Sequence, residues 1–300
     1  MIEAMLLMPN SRKILNLKRT AYNPRSLLAT HVTAAASNDK IYAYGGLTPD
    51  FLSSTQFDCF DPAANSWTTL ANPNSLRRSA GMGYFNGFLY LYGGYDHGAG
   101  VVLSTTFSYQ IATNTWNTTG LKSGIGRHDF SSVVVGNRLY CFGGWNGIAV
   151  NTNAYYTMGA DTWTSIASQG GIRYAGCATD GVNIYLVGGM DSTVMLNTVY
   201  RYNIATDTFT TLAVLPTTSQ SCGIMVVDNY LVCYSGYNNG AYSSAIYTMD
   251  LGKGTWVTLA DNGPVQGIPG TCQLGRRLYL VGGSTGTVRT GSTNRIEALP

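Results

Sequence analysis

The stretch LYLYGG at residues 89–94 decides the fold, because four apolar or aromatic residues run directly into two glycines. Such a run predicts a short buried β-strand, and the paired glycines predict its abrupt end, since glycine adopts backbone conformations that other residues avoid. The motif recurs every 45 to 50 residues along almost the whole chain. The other copies are IYAYGG at 41–46, LYCFGG at 139–144, IYLVGG at 184–189, LVCYSG at 231–236 and LYLVGG at 278–283.

A second pattern keeps step with the glycine motif. An aromatic residue lies 26 to 28 positions before the last glycine of the next copy: Trp67, Trp116, Trp163, Phe209 and Trp256. Seven positions earlier lie Phe60, Tyr109, Tyr156, Tyr202 and Met249. This combination resembles the kelch repeat, in which a glycine doublet is followed by a tyrosine and a tryptophan at set distances. The departures are Ser235 in one doublet, Phe209 in place of tryptophan, and no tryptophan near position 19.

The resemblance implies an all-β fold, a six-bladed kelch-type β-propeller with four antiparallel strands per blade. Single four-stranded sheets leave faces and edges bare, so blades must pack around a ring. The last repeat lacks an outer strand, and ILNL at 14–17 matches the apolar pattern of WTTL at 67–70. We therefore predict that an N-terminal strand completes the last blade and closes the ring. The predicted organisation is one domain over 1–300, with a basic N-terminal segment at 1–25 and kelch repeats at 26–300.

Charge and composition exclude several classes of protein. The net charge is +3, and only 11% of residues are charged. The basic residues at the N-terminus are opposed there by Glu3 alone, and the rest of the chain is near neutral. We therefore expect no nucleic-acid partner. The N-terminal segment is interpreted as solvated, with a docking tail as the alternative. Its basic residues are Arg12, Lys13, Lys18, Arg19 and Arg25.

Targeting signals and disulfides are not expected either. No apolar window approaches the roughly 18 residues of a membrane span, and the start of the chain has an acid where a secretion signal is basic. We predict no signal peptide, no membrane insertion, and a location in a virion or otherwise in the cytoplasm. The six cysteines lack CxxC spacing and are expected to be free thiols, with Cys141 and Cys233 as core fillers.

Alignment on the last glycine of each motif reveals a column of small residues thirteen positions earlier. We expect this column on the innermost strands, where six copies converge on a central channel and leave no room for large side chains. Its members are Thr33, Gly81, Ser131, Gly176, Gly223 and Gly270.

Candidate binding residues come from two parts of the repeat, which in the kelch family lie on the same, ligand-binding face. Loops of this kind commonly carry function. The turn before each innermost strand supplies Arg78, His128, Asp129, Arg173 and Gln220, and the loop after each doublet supplies Tyr95, His97, Trp145 and Tyr237. Trp145 lies outside the repeated tryptophan position. It is either a partly buried rim residue or a platform for a sugar ring or a partner side chain.

Metal and acid–base chemistry are weakly supported by these columns. His31, His97 and His128 fall on the same face, but without HxH or HxxxH spacing, so we expect no metal and no cofactor. Hydrolysis of sugars normally uses paired carboxylates, whereas the two glutamates, Glu3 and Glu297, lie at the predicted ring closure. The face also offers three aspartates, which we interpret as turn-forming residues: Asp96, Asp129 and Asp191.

These observations favour a non-enzymatic binding or structural module with a protein partner or a surface glycan. A composition poor in Lys and Glu and rich in Gly, Ser, Thr, Asn and Tyr is similar to that of phage tail and capsid-decorating proteins. The preferred prediction is a bacteriophage virion protein, part of a larger assembly, that acts in attachment or protein–protein interaction. The alternatives are a cytoplasmic kelch adaptor and a carbohydrate-active enzyme similar to kelch-type sugar oxidases, which use copper, or sialic-acid mutarotases.

Overall fold

The computed structural model describes residues 3–4, 15–234, 236–238, 240–259 and 263–300, and these form strands, turns and loops without a helix. Ile14, Arg12, Lys13 and Ser235 lie outside the described residues. Six antiparallel sheets are arranged as the blades of a β-propeller; in five of them the strands run from the inside outward in chain order, and in the sixth the N-terminal strands lie outermost. Blade 1 consists of Thr33–Ser37, Lys40–Tyr44, Phe57–Asp61 and Ser66–Thr69. Blade 2 consists of Gly81–Phe85, Phe88–Tyr92, Thr106–Gln110 and Thr115–Asn117.

The remaining blades repeat this pattern. Blade 3 consists of Ser131–Val135, Arg138–Phe142, Asn153–Thr157 and Thr162–Ile166. Blade 4 consists of Gly176–Thr179, Asn183–Val187, Val199–Asn203 and Thr208–Thr211. Blade 5 consists of Gly223–Val227, Tyr230–Tyr234, Ile246–Asp250 and Thr255–Leu259. Blade 6 consists of Gly270–Leu274, Arg277–Val281, Thr293–Ala298, Leu17–Tyr22 and the short outermost Glu3–Ala4. Two short hairpins, Tyr95–Asp96 with Val101–Val102 and Tyr237–Asn238 with Ala241–Tyr242, lie in the loops of blades 2 and 5.

An N-terminal strand closes the ring, as predicted. Leu17–Tyr22 pairs antiparallel with Thr293–Ala298 over six residues, from Leu17 opposite Ala298 to Tyr22 opposite Thr293. The strand is displaced from the predicted segment 14–17, because the apolar run only begins it. Leu15 and Leu17 are both buried in a core cluster that includes Leu278. The hydrogen-bonded pairing then continues past Leu17 to Tyr22, which lies opposite Thr293, the first residue of the partner strand.

The column of small residues is explained by neighbouring blades and not by the channel alone. A Cβ atom on Gly81 would lie 2.7 Å from the Phe130 ring of the next connection. One on Gly176 would lie 2.3 Å from Ile224 of blade 5, and one on Gly270 would lie 2.6 Å from the carbonyl oxygen of Val32. The innermost strands therefore approach each other too closely for larger side chains.

Each glycine doublet ends its strand against the connection that leads into the next blade. Gly143 and Gly144 both have positive φ, of 60° and 105°. The N–H of Gly144 donates to the carbonyl oxygen of Ile172, and a Cβ on Gly143 would lie 1.9 Å from that same oxygen. Both the backbone conformation and the lack of space require glycine there.

Charged residues in the blade core were not expected from the sequence. Arg25, interpreted as part of a solvated segment, is 1% exposed, and its Nε donates to Asp58 at 2.5 Å. Arg77 and Arg127 are equally buried. Arg127 donates to the carbonyl oxygens of Gly143 and Thr152, which would otherwise be buried without a partner. The solvated interpretation is therefore wrong for Arg25, because the guanidinium supplies donors that the glycine turns require.

Candidate functional site

One backbone bridge per blade joins the two parts of the repeat that supply the candidate residues. In each bridge, a residue before the innermost strand and the residue after the doublet exchange N–H···O=C hydrogen bonds in both directions. The pairs are Thr30 with Leu47, Arg78 with Tyr95, His128 with Trp145, Arg173 with Met190, Gln220 with Tyr237 and Gly267 with Ser284. The two columns seen in the sequence are therefore one row of paired residues around the mouth of the channel.

A ring of left-handed residues lies directly inside this row. Six residues, one per blade, have φ between 52° and 59°: His31, Ser79, Asp129, Tyr174, Ser221 and Ile268. The N–H of His31 donates to Ile268, that of Ser79 to His31, and that of Asp129 to Ser79. The hydrogen bonds continue from Tyr174 to Asp129 and from Ser221 to Tyr174. The ring holds backbone conformations that are uncommon outside glycine and forms the neck of the channel.

Seven of the nine candidate residues line one pocket above this neck, between blades 2 and 4. They are Arg78, Tyr95, His97, His128, Asp129, Trp145 and Arg173. The pocket has a volume of about 490 Å³. Gln220 and Tyr237 are not part of its lining and lie in blade 5 on the same face, where they share their own bridge.

Asp129 is the electrostatic centre of the pocket and not a turn-forming residue. Its side chain is fully buried, and its carboxylate lies 2.6 Å from Nδ1 of His128 and 3.4 Å from Nη1 of Arg78. Burial by itself would raise the pKa of Asp129, but the hydrogen bond and charge interaction with His128, followed by His31 and Arg78, hold it well below its usual range. Asp129 is therefore a buried, paired carboxylate that is ionised at neutral pH.

The other two aspartates do form turns, as predicted. Asp96 accepts hydrogen bonds from the N–H groups of Gly98 and Ala99. Asp191 accepts those of Thr193 and Val194 in the same way. Neither carboxylate belongs to the cluster around Asp129, so the face does not present a pair of carboxylates from these three residues.

Arg173 covers one face of Trp145. Its guanidinium carbon lies 4.1 Å from the indole centroid and 5.4 Å from the ring of Tyr174. The Nε of Arg173 is buried without a hydrogen-bond partner in the part of the chain that the structure describes. Trp145 thus stacks on a cation, and Arg173 covers one of the two indole faces that were considered as a platform for a sugar ring.

Aromatic contacts fix the other wall of the pocket. The rings of Tyr95 and His128 lie 4.7 Å apart, and the guanidinium of Arg78 lies 5.0 Å from the Tyr95 ring centroid. His97 contacts Tyr95 edge-on and is exposed at the rim. The Arg78 guanidinium therefore lies between the ring of Tyr95 and the carboxylate of Asp129.

Sequence reasoning missed part of the site. Tyr174, Asn146 and Val102 also line the pocket. Tyr174 occupies the same position in its repeat as Asp129, and that shared position was the available signal. His31 lies in the neck, where burial lowers its pKa to about 4. A central cavity of about 150 Å³ continues below it.

Metal clusters, membrane-spanning helices and disulfides can each be checked in the part of the chain that the structure describes. Among them, no three His, Cys, Asp or Glu side chains are grouped closely enough to bind a metal ion. In the same part of the chain, no helix has the length and apolar character needed to cross a membrane. The six cysteines are all free, with Cys141 and Cys233 fully buried.

Fold and repeat together define a six-bladed β-propeller with a polar pocket at one end. The chain belongs to the kelch-repeat family. The family model "KLHDC2/KLHL20/DRC7 Kelch-repeats domain" matches residues 4–177 and 129–296. The solved "Structure of YjhT" superposes with a TM-score of 0.78 at 16% identity, covering 90% of this chain and 96% of that one. At this identity the likeness concerns the fold alone.

Curated relatives agree with this family. The chain is 24% identical to human Kelch-like protein 15, over 74% of this chain and 41% of that protein. It is 28% identical to alpha-scruin of Limulus polyphemus, over 51% of this chain and 18% of that protein. Kelch-like protein terF of Aspergillus terreus is 27% identical over 44% of this chain and 31% of its own length. The chain spans less than half the length of each of these relatives.

Proposed function

We propose that this chain is a non-enzymatic protein-binding module whose pocket receives an acidic group of its partner. The observation that carries the proposal is the charge of the pocket. Arg78 and Arg173 both line it, whereas its described lining contains one carboxylate, that of Asp129. That carboxylate is buried and already faces both His128 and Arg78, so the charge of Arg173 is left for a ligand.

Arg173 is the cation best placed to bind. Stacking on Trp145 holds the guanidinium plane, and its Nε is buried without a partner among the described residues. A planar guanidinium held in this way can present two parallel N–H groups to a carboxylate, which strengthens the pairing and fixes its geometry. A carboxylate that enters the pocket would therefore meet an oriented donor whose conformational cost has been met before binding.

Asp129 supports a binding role over a catalytic one. A general acid or base works best when its pKa lies near the working pH. The pKa of Asp129 is instead held well below its usual range, and its two oxygens face Nη1 of Arg78 and Nδ1 of His128. Its role in the proposal is to fix His128 and Arg78.

The biological setting remains a prediction from composition. Attachment within a bacteriophage virion, as a tail or capsid-associated protein, is the setting that we propose, with a surface glycan as the alternative ligand. Neighbouring genes for portal, tail or fibre proteins would support that setting. A neighbouring set of sugar-catabolic genes would instead favour the carbohydrate-active enzyme. Neighbouring genes for proteins that carry the domains with which kelch adaptors associate would favour the cytoplasmic adaptor.

The pocket is tested with a small dianion, glutarate, and its neutral counterpart glutaramide. The chain has 5 tryptophans, so labelling with 5-fluorotryptophan gives one fluorine resonance for each, and Trp145→Phe assigns the one in the pocket. We expect glutarate to shift the Trp145 resonance to saturation while the other resonances stay in place. Glutaramide should have no such effect.

Two arginine variants complete this experiment. Arg173→Gln should abolish the saturable shift. The matched control is Arg138→Gln, because Arg138 stacks on Tyr155 at 4.4 Å at the opposite end of the ring and should leave glutarate binding unchanged. A Trp145 resonance that glutarate does not move, or moves equally in the Arg173→Gln protein, would rule out the pocket as an anion site.

A further inference from the structure

The loop after the blade 3 doublet carries an asparagine followed by a glycine. Asn146, Gly147 and Ile148 are consecutive exposed residues, and the first two also line the pocket. Asparagine followed by glycine is the pair in which spontaneous deamidation is fastest, because glycine has no side chain to keep its backbone nitrogen away from the asparagine amide. The pocket therefore includes an amide whose chemical lifetime depends on the conformation of this loop.

The conformation of the loop leaves this reaction open. Trp145 bridges Ala149, so three residues span the turn, and the N–H of Asn146 donates to the carbonyl oxygen of Ile148 at 3.1 Å. In the part of the chain that the structure describes, neither the backbone of Gly147 nor the side-chain amide of Asn146 makes a hydrogen bond. The attacking nitrogen and the amide that it attacks are thus both exposed and unconstrained by other described residues.

The blade 2 hairpin provides a comparison within the same chain. Asn86–Gly87 has the same sequence, and Asn86 is exposed as well. These two residues form a tight turn with φ of 47° and 84°, across which Phe85 pairs with Phe88. The Gly87 carbonyl oxygen also accepts the N–H of Ile111 at 3.1 Å. Ring closure at Asn86 would require the backbone to leave torsion angles that the hairpin fixes, so the fold protects this pair and not the one in the pocket.

We propose that Asn146 is a site of spontaneous deamidation, and that the product places a second carboxylate in the pocket and weakens its anion site. The Gly147 nitrogen bonds to Cγ of Asn146 and gives up its proton, while Nδ2 leaves as ammonia. Water then opens the five-membered imide at either carbonyl carbon, its hydroxyl going to that carbon and its proton to the nitrogen. The products are aspartate and isoaspartate, with one water consumed and one ammonia released.

The new carboxylate would take up the charge on which anion binding depends. Asn146 directly follows Trp145 in the chain, and Arg173 stacks on that indole at 4.1 Å. In the unmodified chain, Asp129 is the one carboxylate of the described lining and is already paired, so Arg173 is left for a ligand. A carboxylate at position 146 would offer Arg173 a partner from within the chain. This consequence rests on the proposed function, whereas the deamidation itself does not.

The modification is tested by ageing the whole chain in mildly alkaline buffer, which favours deprotonation of the glycine nitrogen, and by mapping its peptides with mass spectrometry. We expect the peptide that contains Asn146 to gain the one mass unit of deamidation several times faster than the peptide that contains Asn86. In urea, where the hairpin is lost, the two rates should converge. Equal rates in the folded chain, a slower rate at Asn146, or the same difference in urea would overturn the inference.

The consequence for the pocket is measured on the same aged samples. Freshly prepared Asn146→Asp should bind glutarate about tenfold more weakly than the fresh parent chain. The aged parent should lose the glutarate-dependent fluorine shift of Trp145 in proportion to the modification at Asn146. Asn146→Gln should keep its own initial affinity on ageing, because glutamine would have to close a six-membered ring. Asn86→Gln, the matched control, should age like the parent.

These variants also separate the pocket from the two Asn–Gly pairs whose asparagine, Asn239 or Asn262, lies outside the described residues. Loss of glutarate binding on ageing in Asn146→Gln would place the cause elsewhere and overturn the proposed role of Asn146. Unchanged glutarate affinity in a chain modified at Asn146 would overturn it too. If the fresh chain does not bind glutarate, the proposed function of the pocket is wrong, whereas the peptide map still decides whether Asn146 deamidates.

Discussion

The indole Nε1 of Trp163 donates a hydrogen bond to the carbonyl oxygen of Lys122, 3.1 Å away in the preceding connection. The N–H of Lys122 in turn donates to Asp161, in the turn just before Trp163. Blade 3 thus binds both backbone groups of a single residue at the end of blade 2. The same arrangement joins Trp67 to Asn23 and Trp116 to Ala71. The tryptophans that mark the repeat are therefore hydrogen-bonded links between blades.

Replacing one of these tryptophans should loosen the contact between two blades. We expect Trp163→Phe to lower the free energy of unfolding by about 1 kcal/mol, because the Lys122 carbonyl keeps only the hydrogen bond from Thr106 and part of the ring contact is lost. Urea unfolding followed by circular dichroism measures the change. Thr164→Val, an exposed neighbour in the same strand, is the control and should change stability by less than about 0.5 kcal/mol. Equal stability of both variants would contradict the role of the indole.

Blade 4 offers the reverse experiment. Phe209 replaces tryptophan there, although Asp207 still accepts the N–H of Ala167. We expect Phe209→Trp to add the missing bond to the Ala167 carbonyl and to raise stability by about 0.5 to 1 kcal/mol. The gain is modest because that carbonyl already accepts a bond from Asn153. A lower melting temperature would show that the residues around Phe209 are packed too closely to admit the larger indole.

The buried arginines should tolerate glutamine better than an apolar residue. Arg127→Met removes the donors to Gly143 and Thr152 and should cost about 3 kcal/mol or more. Arg127→Gln should cost less, because in blade 6 the amide of Gln266 donates to Gly282 at 2.6 Å and to Ser292 at 3.1 Å. Denaturant unfolding of the two variants gives the order. If Arg127→Met lowers the free energy of unfolding no more than Arg127→Gln does, packing and not hydrogen bonding accounts for the contribution of Arg127 to stability.

Stability should fall on acidification, and His31 sets the first part of that fall. Burial lowers the pKa of His31 from 6.5 to about 4, so the unfolded chain binds more protons between these values and unfolding becomes easier as the pH drops through them. Asp129 contributes stability above the ordinary carboxyl pKa of 3.8, which is lost at lower pH. His31→Asn, which suits the left-handed backbone at this position, should flatten the profile between pH 6.5 and 4. Superimposable profiles in that interval would contradict this assignment.

Ring closure can be tested by truncation. Deleting residues 1–22 removes the strand that pairs with Thr293–Ala298 and uncovers the core at Leu278 and Ile296. We expect a markedly lower melting temperature, because an edge and a core face of blade 6 become exposed. Deleting residues 1–13 keeps Leu17–Tyr22 and should have a much smaller effect. If both truncations melt like the full chain, the N-terminal strand does not hold the ring closed.

The number of blades, the strand pattern and ring closure followed from the sequence, because each depends on a short pattern that recurs six times. The closing strand was displaced by a few residues, since ILNL shows an apolar pattern but the length of the ladder is set by the partner strand Thr293–Ala298. The column of small residues was found correctly and explained incompletely. Its cause at Gly176 is Ile224 of the next blade, which lies 48 positions away in the chain.

Arg77 and Arg78 show what only the tertiary structure decided. The sequence placed Arg78 in a candidate site but gave no indication that Arg77 is buried beneath it, where its guanidinium donates to the carbonyl oxygens of Gly93 and Thr105. Successive side chains of extended backbone point in opposite directions, so one arginine faces the blade core and the other faces the pocket. Local pattern fixes that alternation. Which side becomes core and which becomes pocket is set by the neighbouring blades. Their residues are distant in the chain, and only the closed ring brings them next to Arg77 and Arg78.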